Sequence, residues 1–142
     1  MSPLPVIQNI PEEDLPLPLL VANKWEFQQQ YHQNDQGIYV YAIQDWIAGL
    51  TGASKPKQIW ADLKRNHTEN VHLMDSIQPL PYIASDGKTY QMDFTDDKGL
   101  YLIAQYLRAT KARPQLSAIQ KFLSEAGAFV DAVRLEPETV IT

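Results

Sequence analysis

The sequence predicts an α+β fold, a winged-helix-like helix-turn-helix domain, on the strength of three patterns. Two short amphipathic helices meet at a turn that contains glycine, between residues 43 and 66. A β-hairpin with an Asp-Gly turn follows them in the position of a wing, and two helices with apolar stripes come after it. Another hairpin is expected before the first helix. With 142 residues, the chain is long enough for one such domain with a buried core.

The chain is expected to divide into an arm, a domain and a tail. Residues 1–18 are predicted to form a proline-rich, extended N-terminal arm, because proline lacks the N–H that helices and sheets use. The apolar side chains of this arm are expected to dock on the domain or on a second subunit. The domain is predicted to span residues 19–136, and residues 137–142 form a short tail.

An N-terminal hairpin is expected ahead of the helix-turn-helix. Residues 19–31 favour a β-strand, since Trp25, Phe27 and Tyr31 stand at alternating positions. Residues 33–37 read as a turn, and residues 38–41 form the second strand, which leads into the first helix.

The first helix of the pair carries an apolar stripe, at the i, i+3, i+4 and i+7 positions of a helix that packs on a core. The stripe consists of Ile43, Trp46, Ile47 and Leu50. Gly52 follows it, where a left-handed residue can end a helix. The second helix is predicted over residues 55–66, with Ser54 as a candidate N-cap and Pro56 in the first turn.

The second helix carries the functional prediction. Its apolar face holds Ile59, Trp60 and Leu63, and on the opposite face a small residue, Ala61, stands among polar and cationic side chains. Such a surface can approach base edges and phosphates closely. Its polar members are Lys57, Gln58, Lys64 and Arg65, with Asp62 beside them. The alternative interpretation is that these side chains are the solvated face of a core helix.

Residues 66–76 are expected to be irregular, and the hairpin over residues 77–94 is the predicted wing, with Lys88 at its turn. Tyr90, Met92 and Phe94 alternate with polar residues, which predicts that they are buried on one face. Two prolines, Pro79 and Pro81, confine the first strand of this hairpin to a sheet edge. His67 and His72 lack a third ligand at a suitable spacing, so no metal site is predicted.

Two helices are predicted to complete the domain. Thr95 is the expected cap of the first, and Pro114 opens the second. Packing of the last helix on its own domain is favoured over a dimer contact. The protein is expected to be a monomer or a homodimer. Their apolar stripes comprise Leu100, Ile103, Ala104 and Leu107, then Leu116, Ile119, Leu123, Ala126, Val130 and Val133.

Charge and composition restrict the function. The net charge of −5 argues against indiscriminate nucleic-acid binding, yet residues 55–65 carry four bases against one acid. The absence of cysteine excludes disulfides, thiolate nucleophiles and cysteine-ligated zinc, and favours a cytoplasmic location, in a bacterial or phage-infected cell. No apolar run approaches membrane-spanning length, and no nucleophile–base pair or phosphate loop is evident. We therefore expect a protein with no enzymatic activity, no cofactor and no membrane contact.

Residues 41–52 and 57–65 resemble the N-terminal domain of the BRO family, and the stretch from Trp60 to Arg65 is the most specific part of the resemblance. The hairpin with its Ser-Asp-Gly-Lys turn, residues 93–100 and residues 121–127 follow in the family's order, so that the resemblance covers about residues 27–136. The family includes baculovirus BRO proteins, phage antirepressors and proteins similar to DNA-damage-inducible protein D. The resemblance implies DNA binding, or regulation of other DNA-binding proteins, in phage and DNA-damage responses. Many relatives carry a second, C-terminal domain that these residues do not include, and the proline-rich arm lies outside the family pattern.

The predicted function is therefore a DNA-binding or transcription-regulatory module that reads double-stranded DNA with helix 55–66 and wing 77–94. The alternative is a non-enzymatic regulator that binds a repressor or a recombination protein, through the same surface or through the acidic N-terminal half. The predicted DNA-binding residues are Lys55, Lys57, Gln58, Lys64, Arg65 and Lys88.

Overall fold

A four-stranded antiparallel sheet and six helices make up the part of the chain that the structure, a computed structural model, describes, namely residue 11 and residues 14–129. This is a mixed α+β fold, as predicted. The elements are α1 (Leu17–Lys24), β1 (Tyr31–Gln33), β2 (Tyr39–Ala42), α2 (Ile43–Thr51), α3 (Pro56–Asn66), α4 (Val71–Ser76), β3 (Gln78–Ile83), β4 (Thr89–Thr95), α5 (Asp97–Tyr106) and α6 (Pro114–Glu125).

The N-terminal region differs from the prediction. Residues 17–24 form a helix rather than part of a strand or an arm, because Pro16 precedes the helix and Pro18 lies in its first turn, where no N–H is needed. Leu19 and Val21 are fully buried and fix this helix on the core. The predicted hairpin is present, but its first strand is only β1. The rest of the predicted arm, residues 1–10, 12 and 13, lies outside the described residues, as does the predicted tail.

The end of α1 explains why the chain turns into the sheet. The N–H of Phe27 donates to the carbonyl of Ala22 at 2.9 Å, and the N–H of Glu26 donates to that of Asn23 at 3.3 Å. This is the Schellman pattern, which requires a left-handed residue one position after the C-cap. Glu26 takes that conformation, with φ of 58°.

The helix pair was predicted correctly in extent and orientation. Gly52 is left-handed, with φ of 70°, and its N–H donates to the carbonyl of Ala48. Trp60 and Leu63 of α3 are buried against the core that Trp46 and its neighbours form. Ser54 does not cap α3; Lys55 is the N-cap residue and makes no side-chain capping bond.

The sheet has the strand order β1-β2-β4-β3, so β1 and β3 are its two edges. The edges nevertheless approach each other, because the sheet curls. The side-chain amide of Gln30, just before β1, donates to the carbonyl of Ile83 at 2.6 Å and accepts from its N–H at 3.0 Å. His32 Nε2 lies 2.8 Å from the carbonyl oxygen of Pro81, so that nitrogen carries the proton. The side chains of Gln30 and His32 thus link the two edges of the curled sheet.

Strand β3 lies at a sheet edge, as Pro79 and Pro81 predicted, and few of its outward-facing N–H groups are free. Its pairing with β4 leaves Pro79, Pro81 and Ile83 at positions whose backbone groups point away from the sheet. Two of these residues lack an N–H, and the N–H of Ile83 is bound by Gln30. The outer edge of β3 therefore offers no unpaired N–H among these three residues.

Three local predictions were wrong. Residues 71–76 form α4 instead of an irregular loop, since the Asn70 side chain caps it by accepting from the N–H of Leu73. Asp96, not Thr95, caps α5, and the Thr95 hydroxyl bonds Ser76 instead. Tyr90 is 42% exposed, because the hairpin extends beyond the core and only its Phe94 end is fully covered.

The last two helices close the core. Leu116, Ile119 and Leu123 of α6 are fully buried within the domain, as predicted. The helix ends at Glu125, so Ala126 is its C-cap and is exposed, while Val130 and Val133 lie outside the described residues. Across residue 11 and residues 14–129, no helix has both the length and the apolar character needed to cross a membrane.

Candidate nucleic-acid interface

Helix α3 is fixed to the hairpin through Asp93 of β4. The indole N–H of Trp60 donates to Oδ2 of Asp93 at 2.8 Å, and the Lys64 ammonium donates to the same oxygen at 3.1 Å. The ammonium also lies 5.4 Å from the centre of the Trp60 ring, within range of a cation–π contact. One carboxylate therefore sets the position of the predicted reading helix relative to the predicted wing.

The exposed face of α3 is organised around a second carboxylate, that of Asp62. Oδ1 of Asp62 accepts from Gln58 Nε2 at 3.2 Å and from Arg65 Nη2 at 2.5 Å. Ala61 lies between these side chains in sequence and is exposed. Three of the six predicted DNA-binding residues, Gln58, Lys64 and Arg65, thus have a carboxylate partner.

The other three predicted residues are more open. Lys55, Lys57 and Lys88 are exposed, and within the described residues none forms an ion pair. Lys88 stands at the turn of the β3–β4 hairpin, next to Gly87, which has φ of 85°. Asp86 fixes that turn: its carboxylate accepts from the Lys88 N–H and from the Tyr90 hydroxyl, both at 2.8 Å, and these bonds lower the pKa of Asp86.

The start of α3 and the hairpin border one cleft, which we call the α2–hairpin cleft and which the sequence did not reveal. Its volume is about 720 Å³. Lys57 lines it from α3, Gln44 and Asp45 line it from α2, and Ser85 and Tyr90 line it from the hairpin. The cleft therefore brings one of the predicted cations close to the base of the turn that carries another, Lys88.

The floor of the cleft is a buried carboxylate, Asp45, with both oxygens bonded. Oδ1 accepts from the Tyr82 hydroxyl at 2.5 Å, and Oδ2 accepts from the Gln30 N–H at 2.8 Å. Burial raises the pKa of the Asp45 carboxyl, an effect that the bonds from Tyr82, Gln30 and Gln28 oppose. Burial and the contact with Asp45 raise the pKa of the Tyr82 hydroxyl. This group joins α2 to the strand β3 and to the segment before β1.

One wall of the cleft depends on Gly49. A Cβ at this position would lie 2.2 Å from Cδ1 of Phe27, so only glycine lets the Phe27 ring lie directly on α2. The ring also makes an edge contact with Trp46, with centroids 6.2 Å apart. The contact joins α2 to a residue 22 positions earlier in the chain, which the periodicity of the helix does not indicate.

His67 and His32 each contact another residue of the fold. The rings of His67 and Tyr106 stack with centroids 3.7 Å apart, and His32 closes the sheet on Pro81. Within residue 11 and residues 14–129, no three His, Asp or Glu side chains are grouped so that they could hold a metal ion.

Comparison of the chain with protein-family models, with curated proteins and with solved structures gave no match.

Proposed function

We propose that this protein is a DNA-binding regulatory module in which α3 contacts the bases of a duplex and the β3–β4 hairpin acts as a wing, in the manner of a BRO-type winged helix. The observation that supports this proposal most is the anchoring of α3 to β4 through Asp93. Rigid elements position binding groups more accurately than loops do. The exposed cations of α3 and the cation at the hairpin turn are carried on two elements joined in this way.

In this proposal, Lys55, Lys57 and Lys88 bind phosphates, since they are exposed and unpaired within the described residues. Gln58 is the base-reading residue, because a side-chain amide can bond an adenine edge with both its donor and its acceptor. Asp62 holds Gln58 and Arg65 on the exposed face before DNA arrives. Arg65 uses one donor nitrogen for Asp62, and its other N–H groups can reach a phosphate.

The test is a titration of the full chain against random and genomic duplexes at two salt concentrations. We expect binding at about 50 mM salt that weakens steeply as the salt is raised, because phosphate contacts release counterions. A chain that shifts no duplex at the lower salt would overturn the proposal.

The alternative function is regulation through a protein partner, a repressor or a recombination protein. Two observations favour it: Asp93 and Asp62 neutralise two of the predicted cations, and the chain has a net charge of −5. An acidic surface complements the basic face of a DNA-binding protein. Capture of a purified repressor or recombinase, lost on charge reversal and without duplex binding, would establish the alternative.

A further inference from the structure

The α2–hairpin cleft has the size and the mixed lining of a small-molecule site. Its volume of about 720 Å³ lies within the range of about 300–1,000 Å³ that such sites occupy. Lys57 lines the cleft from α3, Ser85 and Tyr90 line it from the hairpin, and the hydrogen-bonded pair of Asp45 and Tyr82 lines it from α2 and β3.

Several polar groups that line the cleft have no partner within the described residues. They are the side-chain amide of Gln44, the side-chain carbonyl of Gln28 and the hydroxyl of Ser85. Amide groups offer a donor and an acceptor side by side, which is the pattern that the edge of a nucleobase presents in return.

Flat apolar surfaces lie beside these groups. Tyr90 is 42% exposed, and its hydroxyl donates to the Asp86 carboxylate, which restrains the orientation of the ring. Phe27 lies against Gly49, and both Phe27 and Met92 line the cleft. Aromatic rings in this setting can stack on a base.

The charged side chains that line the cleft indicate which further groups a ligand would carry. Lys57 is the only cationic side chain among the described residues that line the cleft. Asp45 is the only carboxylate among them, and both of its oxygens already accept hydrogen bonds from the protein, Oδ1 from the Tyr82 hydroxyl and Oδ2 from the Gln30 N–H. An anionic group is therefore favoured at the α3 side of the cleft, and a neutral polar ring is favoured against the amides.

We propose that the α2–hairpin cleft binds a nucleotide unit, with its phosphate at Lys57 and its base between the glutamine amides and Tyr90. The unit is either a free mononucleotide or an unpaired nucleotide of a single strand. This site does not depend on duplex binding by α3.

The test is a titration of the ¹⁵N-labelled full chain, followed by NMR, with the four common deoxynucleoside monophosphates. The side-chain NH₂ groups of Gln28 and Gln44 and the backbone N–H of Ser85 are expected to shift. Lys57→Ala is expected to weaken nucleotide binding about tenfold, as for a lost charge-assisted hydrogen bond, and to leave binding of the phosphate-free nucleoside unchanged. Tyr90→Ala should weaken both. Lys121→Ala, which removes an exposed cation of α6, is the matched control and should change neither.

Three results overturn the proposal: no shift of these groups with any nucleotide, the same shifts and affinity with inorganic phosphate alone, or shifts produced by a peptide but not by nucleotides. Tighter binding of a short single-stranded oligonucleotide at the same groups identifies the strand as the source of the unit, and equal affinity identifies the mononucleotide.

The two proposals can fail separately. Arg65→Ala and Lys88→Ala lie outside the cleft lining and should weaken duplex binding without changing the nucleotide titration. Nucleotide binding without duplex binding would overturn the proposed function alone, and duplex binding without nucleotide shifts would overturn this inference alone.

Discussion

The indole of Trp60 and the carboxylate of Asp93 join a helix to a strand that lies 33 residues further along the chain, through a hydrogen bond of 2.8 Å. Trp60 is only 7% exposed, so its ring contributes apolar burial and its N–H satisfies a carboxylate that also receives Lys64. Packing and polar pairing thus act on the same residue.

Trp60→Ala should therefore destabilise the fold by about 3–5 kcal/mol, the range for large aromatic side chains in cores. Trp60→Phe keeps most of the ring but leaves Asp93 with one partner fewer, so a loss of about 1–2 kcal/mol is expected. Urea unfolding measures both. A Trp60→Ala variant as stable as the wild type would mean that α3 is oriented differently and that its exposed face is assigned wrongly.

The stability should depend on pH through Asp45. Burial raises the pKa of this carboxyl above 3.8, so the folded state binds a proton at a higher pH than the unfolded state does. The contribution of Asp45 is fully present below pH 3.8 and is lost as the pH rises through the folded-state pKa. The stability of the wild type relative to Asp45→Asn should accordingly increase as the pH falls towards 3.8, measured by unfolding at several pH values. A difference that does not change with pH would contradict this assignment.

Asp45→Ala should have a larger effect at neutral pH than Asp45→Asn. Alanine leaves the Gln30 N–H and the Tyr82 hydroxyl without their partner, at a cost of about 1–3 kcal/mol for each buried group. Asparagine can still accept from one and donate to the other. Equal losses in the two variants would show that Asp45 contributes mainly through its shape.

Glu26 offers a test of backbone conformation. It occupies the left-handed position after α1 that Gly127 occupies after α6, where φ is 84° and the same two hydrogen bonds form. A side chain in this conformation costs about 1 kcal/mol relative to glycine. Glu26→Gly should thus stabilise the protein by about that amount, and Gly127→Ala should destabilise it similarly, as thermal unfolding can show. A destabilised Glu26→Gly variant would mean that the Glu26 side chain stabilises the fold by more than its left-handed backbone conformation costs.

The cations should differ in their effect on DNA binding. Lys57→Ala and Lys88→Ala should each reduce the slope of log affinity against log salt by about one unit. Lys64→Ala should reduce it less, because Asp93 already binds the Lys64 ammonium at 3.1 Å. Gln58→Ala should instead relax the preference at one base pair by about 1–3 kcal/mol. Binding titrations at several salt concentrations separate these cases, and a Lys64 effect equal to that of Lys57 would show that the Asp93 ion pair opens in the complex.

The protein should be monomeric at low micromolar concentration. Leu116, Ile119 and Leu123 of α6 are fully buried in their own domain, which leaves this stripe unavailable to a second copy. Sedimentation velocity over a range of concentrations measures the state. A dimer that persists on dilution would place the contact elsewhere, and two copies of α3 could then address paired half-sites.

The sequence predicted the elements whose signals are local. The apolar spacing of α2 and α3, Gly52, the Asp-Gly hairpin and Pro114 all depend on neighbours within a few residues. It failed where a local signal has two readings: the prolines at 16 and 18 suit a helix start as well as an arm, and Asp96 competed with Thr95 as a cap.

The site was harder to predict for a different reason. The exposed position of Lys57 follows from helix periodicity, but the partners of Lys64 and of Gly49 lie 29 and 22 residues away in sequence. Nothing in the spacing of residues 27, 45, 57 and 90 indicates that they surround one cleft. Contacts of this kind depend on the three-dimensional arrangement of the elements.

The edge of β3 limits how this protein can meet other chains. A strand that adds to a sheet needs alternate N–H and C=O groups to pair with, and β3 presents two prolines and an N–H already taken by Gln30. The sheet therefore cannot grow at this side by recruiting the strand of a partner or of another copy. Stacking of successive molecules into a fibril through the outer edge of β3 is blocked by the same residues.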